Sequence, residues 1–272
     1  MIMFEKTSLL IELYQKYDIA KLKSGVKEDK LGDLMEEYCA KVFEKSSLLS
    51  KYFEDDLNNE CIDEYLFKLF LSLDCIGNSA DISEIKATTD IDPRESGGKS
   101  KTDVIVTIKY NDNREQQFPI SVKQTSKNSV SIAEFDVDTI VREVGIEDQD
   151  VISLMKKHQD DGSAKNFSAV EKQRLKEGLK PYLYSLSRWA ITGSPTIATD
   201  DLRIPKIMIR FKMNKNDDVN AVAIYETEKY LEAMKKTKNG RPRTAGFGTG
   251  LYWTRASGSG CTKIQFKGYF NT

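Results

Sequence analysis

Two hydrophobic periods run along the chain. In "KLGDLMEEYCAKVFEK" (Lys30–Lys45), Leu31, Leu34, Met35, Tyr38, Val42 and Phe43 recur at three- and four-residue steps, the spacing that gathers apolar side chains on one helix face. "IDEYLFKLFLSL" predicts a second helix, and the N-terminal "MIMFEKTSLLIELYQKYDI" has an apolar periodicity interrupted by Glu5, Glu12 and Asp18. "KTDVIVTIKY" (Lys101–Tyr110) and "FPISVKQ" (Phe118–Gln124) read instead as the strands of a hairpin, turning at "NDNR" (Asn111–Arg114). The polar stretch "EIKATTDIDPRESGGKSK" before them reads as a loop. Further helices are expected over Thr139–Lys157 and Ser168–Ile191. The second opens on a capping box of Ser168 and Glu171 and is kinked or divided at Pro181. "KIMIRFKM", "NAVAIYE" and "TKIQFKGYF" read as later strands. The pattern predicts a mixed α/β protein with no internal repeat.

Composition narrows this picture. At 39% hydrophobic and 31% charged residues, the chain suits a soluble globular protein. No apolar run approaches the ~18–20 residues that span a bilayer, and the N-terminus lacks the pattern of a signal peptide. Cys39, Cys61, Cys75 and Cys261 form no CxxC pair, so reduced thiols and a cytoplasmic setting are expected. The single histidine, His158, lies in the polar "LMKKHQDDGS" and reads as solvated. That argues against structural zinc and histidine triads. Catalysis must then rest on carboxylates, lysines and a hard cation.

The net charge of −1 conceals an asymmetry. From Ala233 to Thr272 there are eight basic residues (Lys235, Lys236, Lys238, Arg241, Arg243, Arg255, Lys263 and Lys267) and no acid, whereas the rest carries 33 basic and 42 acidic residues. A basic end on an acidic body is the footprint of a polyanion-binding face. Gly246, Gly248, Gly250, Gly258 and Gly260 are interleaved there with Phe247, Tyr252 and Trp253, and suggest close backbone approach to a ligand.

The hairpin carries the chemistry. Alternation puts Phe118, Ile120 and Val122 on one face and Ser121 and Lys123 on the other. Simple pairing across the turn sets Asp103 near Val122, so Asp103, Ser121 and Lys123 converge. This resembles the PD-(D/E)XK nuclease motif, with Ser121 where a second carboxylate is usual. Its chemistry needs a hard cation on oxygen ligands and a lysine for the nucleophile. Competing motifs fail. "GGKS" (Gly97–Ser100) has Pro93 where a P-loop needs glycine, and "GFGTG" (Gly246–Gly250) lacks a strand–turn–helix setting.

The stretches "VSIAEFDVDTI" (Val130–Ile140), "KHQDDGSAKNF" (Lys157–Phe167), "GFGTGLYWTRASGSGCTKIQFKG" (Gly246–Gly268) and, more loosely, "KLGDLMEEY" (Lys30–Tyr38) resemble the MspI family of type II restriction endonucleases. The resemblance implies a mixed central β-sheet flanked by helices with a PD-(D/E)XK core, in one endonuclease domain over 1–272 with a basic DNA-reading segment at about 233–272. It implies Mg²⁺-dependent cleavage of double-stranded DNA at CCGG or a closely related site. Asp103 matches the family's acid, Lys123 its lysine and Glu36 a further active-site acid, while Ser121 stands where the family has Asn. The implied metal ligands are Asp103, the Val122 carbonyl and Glu36, with Ser121 ordering water at the ion. For DNA reading the resemblance implies Ser131, Thr254, Ser257, Gln265 and Lys267, with Arg255 in place of a Tyr. It also implies a protecting cytosine methyltransferase, no membrane partner, and a monomer or weak homodimer. A DNA-binding protein with lost or nicking-only nuclease activity is the alternative.

Overall fold

The computed structural model describes residues 4, 6–93, 99–197, 201–236, 245–256 and 260–269. They fall into two compact units, one formed by Met1–Asn128 with Asp201–Glu228 and Thr272, the other by Ser129–Asp200 with Lys229–Asn271.

The first unit contains helices α1 (Ser8–Lys16), α2 (Ser24–Phe43), α3 (Ser46–Phe53) and α4 (Ile62–Leu71). Its strands are β1 (Ile82–Thr88), β2 (Val104–Tyr110) and β3 (Glu115–Thr125), then β5 (Ile207–Met213) and β6 (Val219–Glu226), which follow β4 (Ser129–Phe135) of the second unit. The sheet order is β1-β2-β3-β5-β6, antiparallel except for the parallel β3–β5 pair. Leu31, Leu34, Met35, Tyr38, Val42 and Phe43 of α2 are buried, as their spacing predicts. They join Val104, Val106, Ile108, Phe118, Ile120 and Val122 in one core. A buried acid fixes α2 against its neighbours. Asp63 on α4 accepts from Thr7 Oγ1 (2.8 Å), Tyr38 Oη (2.6 Å) and Lys45 Nζ (2.5 Å). Three donors offset the cost of burying a carboxylate.

Two expectations change here. The first five residues of the stretch expected as a loop, Glu84–Thr88, belong instead to the edge strand β1. Only Ile82 and Ile85 of it are buried, so it lacks an apolar signature, and pairing with β2 makes it a strand. Charged residues such as Glu84 and Lys86 suit a sheet edge. The hairpin register also differs by one residue. Val104 pairs with Ile120, and the Asp103 amide donates to the Ile120 carbonyl at 2.8 Å. Asp103 therefore stands level with Ser121, not Val122.

The second unit has an antiparallel sheet, order β4-β8-β7, of β4 (Ser129–Phe135), β7 (Tyr252–Arg255) and β8 (Ile264–Tyr269). Its helices are α5 (Val137–Val144), α6 (Gln149–Asp161), α7 (Ala169–Gly178) and α8 (Leu183–Thr192), and α9 (Thr227–Lys235) enters it from β6. The helix expected over Thr139–Lys157 is two helices. Gly145, at φ 74°, ends α5 in the left-handed region, and Asp148 caps α6 by accepting from the Asp150 and Val151 amides. The Ser168–Glu171 capping box is present, and a 3₁₀ turn containing Pro181 separates α7 from α8.

His158 is not solvated. It is 2% exposed on α6, edge-on to Phe167, Phe247 and Trp253. Burial drives its pKa down to about 4, against a smaller opposing effect of Asp161. The glycines of "GFGTG" serve the chain itself. A Cβ on Gly246 would lie 1.8 Å from the Leu251 carbonyl oxygen, and one on Gly250 2.9 Å from that of Met234. The turn wraps the buried Thr249, whose hydroxyl bonds Gly246 O (2.8 Å) and accepts from Trp253 Nε1 (3.2 Å). Among the described residues, no helix is long and apolar enough to cross a membrane.

Candidate active site

The geometry of the first unit's site starts from the splayed end of the β2–β3 hairpin. Asp103 lies just before β2, where its amide still pairs but its side chain turns across to β3. One carboxylate oxygen, Oδ2, accepts three hydrogen bonds: from Ser121 Oγ (3.0 Å), the Val122 amide (2.7 Å) and Lys123 Nζ (2.8 Å). Lys123 Nζ also donates to the Val122 carbonyl at 2.8 Å. Asp103 Oδ2 and Val122 O thus meet on one positive charge. The side chains of Asp103 and Lys123 are 16% and 21% exposed, so the group is sheltered yet open to a ligand. Ser121 is fully buried, and its hydroxyl proton goes to Asp103 rather than to solvent. Its place in the structure is that of a brace for the carboxylate.

Glu36 stands on α2, on the flank of the buried stripe. Its carboxyl is pushed up to about 7. The largest cause is burial, then repulsion by Asp103, opposed by Lys123 and, more weakly, Lys99. Glu36 therefore belongs to the same electrostatic cluster as the hairpin pair, not to a solvated flank. It lines an open cleft with Lys30, Asp33, Ala87 and Thr88. Among the described residues, no three His, Cys, Asp or Glu side chains gather at one point. The donor set here is two carboxylates and a backbone carbonyl. That all-oxygen set, two members of which already converge on an ammonium group, fits a hard divalent cation.

The second unit gathers most of the expected reading residues. On its three-stranded sheet Ser131 pairs with Lys267, which also pairs with Tyr252. In the next row Gln265 pairs with Thr254 on one side and Glu134 on the other. Ser131, Thr254, Gln265 and Lys267 therefore share one sheet face. Arg255 does not join them. It alternates to the face of Trp253, and its side chain lies against Gly162 at the end of α6, where an added Cβ would sit 3.2 Å from it. Ser257, Lys238, Arg241 and Arg243 lie outside the described residues. Lys235 pairs with Glu232 at 2.6 Å and lies over the Tyr184 ring. Glu134 was missed by sequence reasoning, because strand alternation from Ser131 turns it to the opposite face.

The chain is similar to known proteins in both sequence and fold. The family described as restriction endonuclease MspI matches residues 11–268. The type II restriction enzyme MspI of Moraxella sp is 38% identical over 267 residues, which cover 97% of this chain and 100% of that protein. The type II restriction enzyme BsuFI of Bacillus subtilis is 30% identical over 194 residues, 70% of this chain and 45% of that protein. Among solved structures, the crystal structure of restriction endonuclease MspI in complex with its cognate DNA is similar at a TM-score of 0.84 and 33% identity, covering 97% of this chain and 100% of that one. A likeness that holds in both sequence and fold over nearly the whole length places this chain in the MspI family of restriction endonucleases.

Proposed function

We propose that the chain is a type II restriction endonuclease, cleaving double-stranded DNA by Mg²⁺-dependent hydrolysis at CCGG or a closely related site. The observation that carries this reading is the convergence of Asp103 Oδ2 and Val122 O on one cation beside Glu36. Asp103, the Val122 carbonyl and Glu36 would hold Mg²⁺, which supplies Lewis-acid polarisation of the scissile phosphate and a more acidic water. Lys123 orients the attacking water and offsets the negative charge that develops on the phosphate. Ser121 and the Val122 amide fix the Asp103 carboxylate. The polar sheet face of the second unit reads base edges, and the basic C-terminal segment contacts phosphates. In this reading both units serve one endonuclease domain, acting in the cytoplasm as a monomer or weak homodimer beside a cytosine methyltransferase that protects host DNA.

The test is incubation with unmethylated plasmid and Mg²⁺. Discrete fragments whose mapped ends share a CCGG-like site are expected, with protection when those cytosines are methylated. Intact plasmid, or single nicks only, would sink the proposal.

A further inference from the structure

The second unit's sheet contains a device that the reading above does not use. Simple alternation along β4 would set Ser131 and Ala133 on one face and Glu134 on the other. A bulge at Ile132 breaks that parity. Ser131 pairs with Lys267, yet Ala133 pairs with the very next β8 residue, Phe266. Two steps on β4 span one on β8, the geometry by which a bulge re-aims a side chain. Ala133 then turns inward with buried Phe266, and Glu134 comes onto the polar face opposite Gln265. Glu134 is exposed, whereas Gln265 is 6% exposed. Gln265 Nε2 donates to Glu134 Oε1, and Thr254 Oγ1 lies 3.4 Å from Gln265 Oε1. The amide is thereby oriented, and it holds one oxygen of the carboxylate in place. Among the described residues Gln265 is the one side-chain hydrogen-bond partner of Glu134, and no lysine or arginine pairs with it.

An unneutralised carboxylate on a face that meets DNA is repelled by the phosphates. The DNA backbone offers it no hydrogen-bond donor. In the major groove the donors on base edges are the exocyclic amines, cytosine N4 and adenine N6. We propose that Glu134 is a specificity-determining residue, whose free carboxylate oxygen accepts a hydrogen bond from one such base amine while Gln265 holds it in register. The inference rests on the proposal that this face reads duplex DNA.

Binding selection from a pool of randomised duplexes tests it, with Ca²⁺ replacing Mg²⁺, for the wild type, Glu134→Ala and Glu134→Gln. The wild type defines the site. Glu134→Ala is expected to relax one position, with discrimination there falling roughly tenfold or more, and to bind non-specific duplex as tightly as the wild type or more so. The relaxed base pair names the amine: G·C for cytosine, A·T for adenine. Glu134→Gln keeps an acceptor oxygen and should retain part of the preference. If Glu134→Ala selects the wild-type site unchanged, or loses all positions equally, this inference falls alone. A wild type that selects no sequence overturns the proposed function and this inference with it.

Discussion

Asp103 illustrates how a weak sequence signal becomes a site. An acid at a strand opening is usually solvated, but here three donors meet on one of its oxygens. Replacing Lys123 with Ala should abolish plasmid cleavage and leave binding in Ca²⁺ largely intact; near-normal cleavage would remove Lys123 from the mechanism. Ser121 should matter less, because Asp103 keeps two other donors. Ser121→Ala is expected to slow cleavage about tenfold, the equivalent of one hydrogen bond at ~1–1.5 kcal/mol. Ser121→Asn retains a donor toward Asp103 and should be the faster of the two variants. Single-turnover rates decide, and a fully active Ser121→Ala enzyme would show that the brace is dispensable. His158 makes a separate prediction. Its folded pKa of about 4 lies below the ordinary 6.5. As pH falls through that window the unfolded chain takes up a proton that the folded protein refuses, so stability present above pH 6.5 is lost toward pH 4. The loss from this group is on the order of 3 kcal/mol. Urea melts of His158→Phe should show a shallower acid decline than the wild type; parallel declines would show that His158 does not titrate in this way.

At the scale of elements, the helices with a strong apolar period or a complete cap are legible in the sequence. The "SAVE" box marks the start of α7, and the stripe from Leu31 to Phe43 marks α2. The break between α5 and α6 falls at Gly145 and the polar run Glu147–Asp150, between the buried Ile146 and Val151. It depends on one glycine with positive φ and on the Asp148 cap. Gly145 has open space around its Cβ position, so Gly145→Ala should cost only the left-handed backbone strain, about 1 kcal/mol. Gly246→Ala should cost clearly more, since its Cβ would collide with the Leu251 carbonyl. Equal losses in denaturant melts would contradict this reading of the two turns.

For the whole molecule, charge is distributed so that a nearly neutral chain can still bind a polyanion. With eight basic residues and no acid after Met234 or within Ala233–Thr272, DNA affinity should fall steeply with salt despite the net charge of −1. Lys263 is exposed on this segment. Lys263→Ala should reduce the slope of log affinity against log salt by about one unit and leave base preference unaltered; an unchanged slope would mean that Lys263 touches no phosphate. The sequence by itself determined the mixed α/β class, the α2 stripe, the Asp103–Lys123 hairpin and the family, because these rest on local periodicity, on two strands joined by a short turn, and on long ordered matches. Tertiary structure decided the rest. Pairing with β2 made an edge strand of a polar stretch, and the close approach of α2 to the hairpin raised the Glu36 pKa. Packing buried His158 among aromatic rings. A one-residue bulge against β8 carried Glu134 to the face of Gln265. Each of these depends on which distant segment lies alongside, and neither composition nor local periodicity records that.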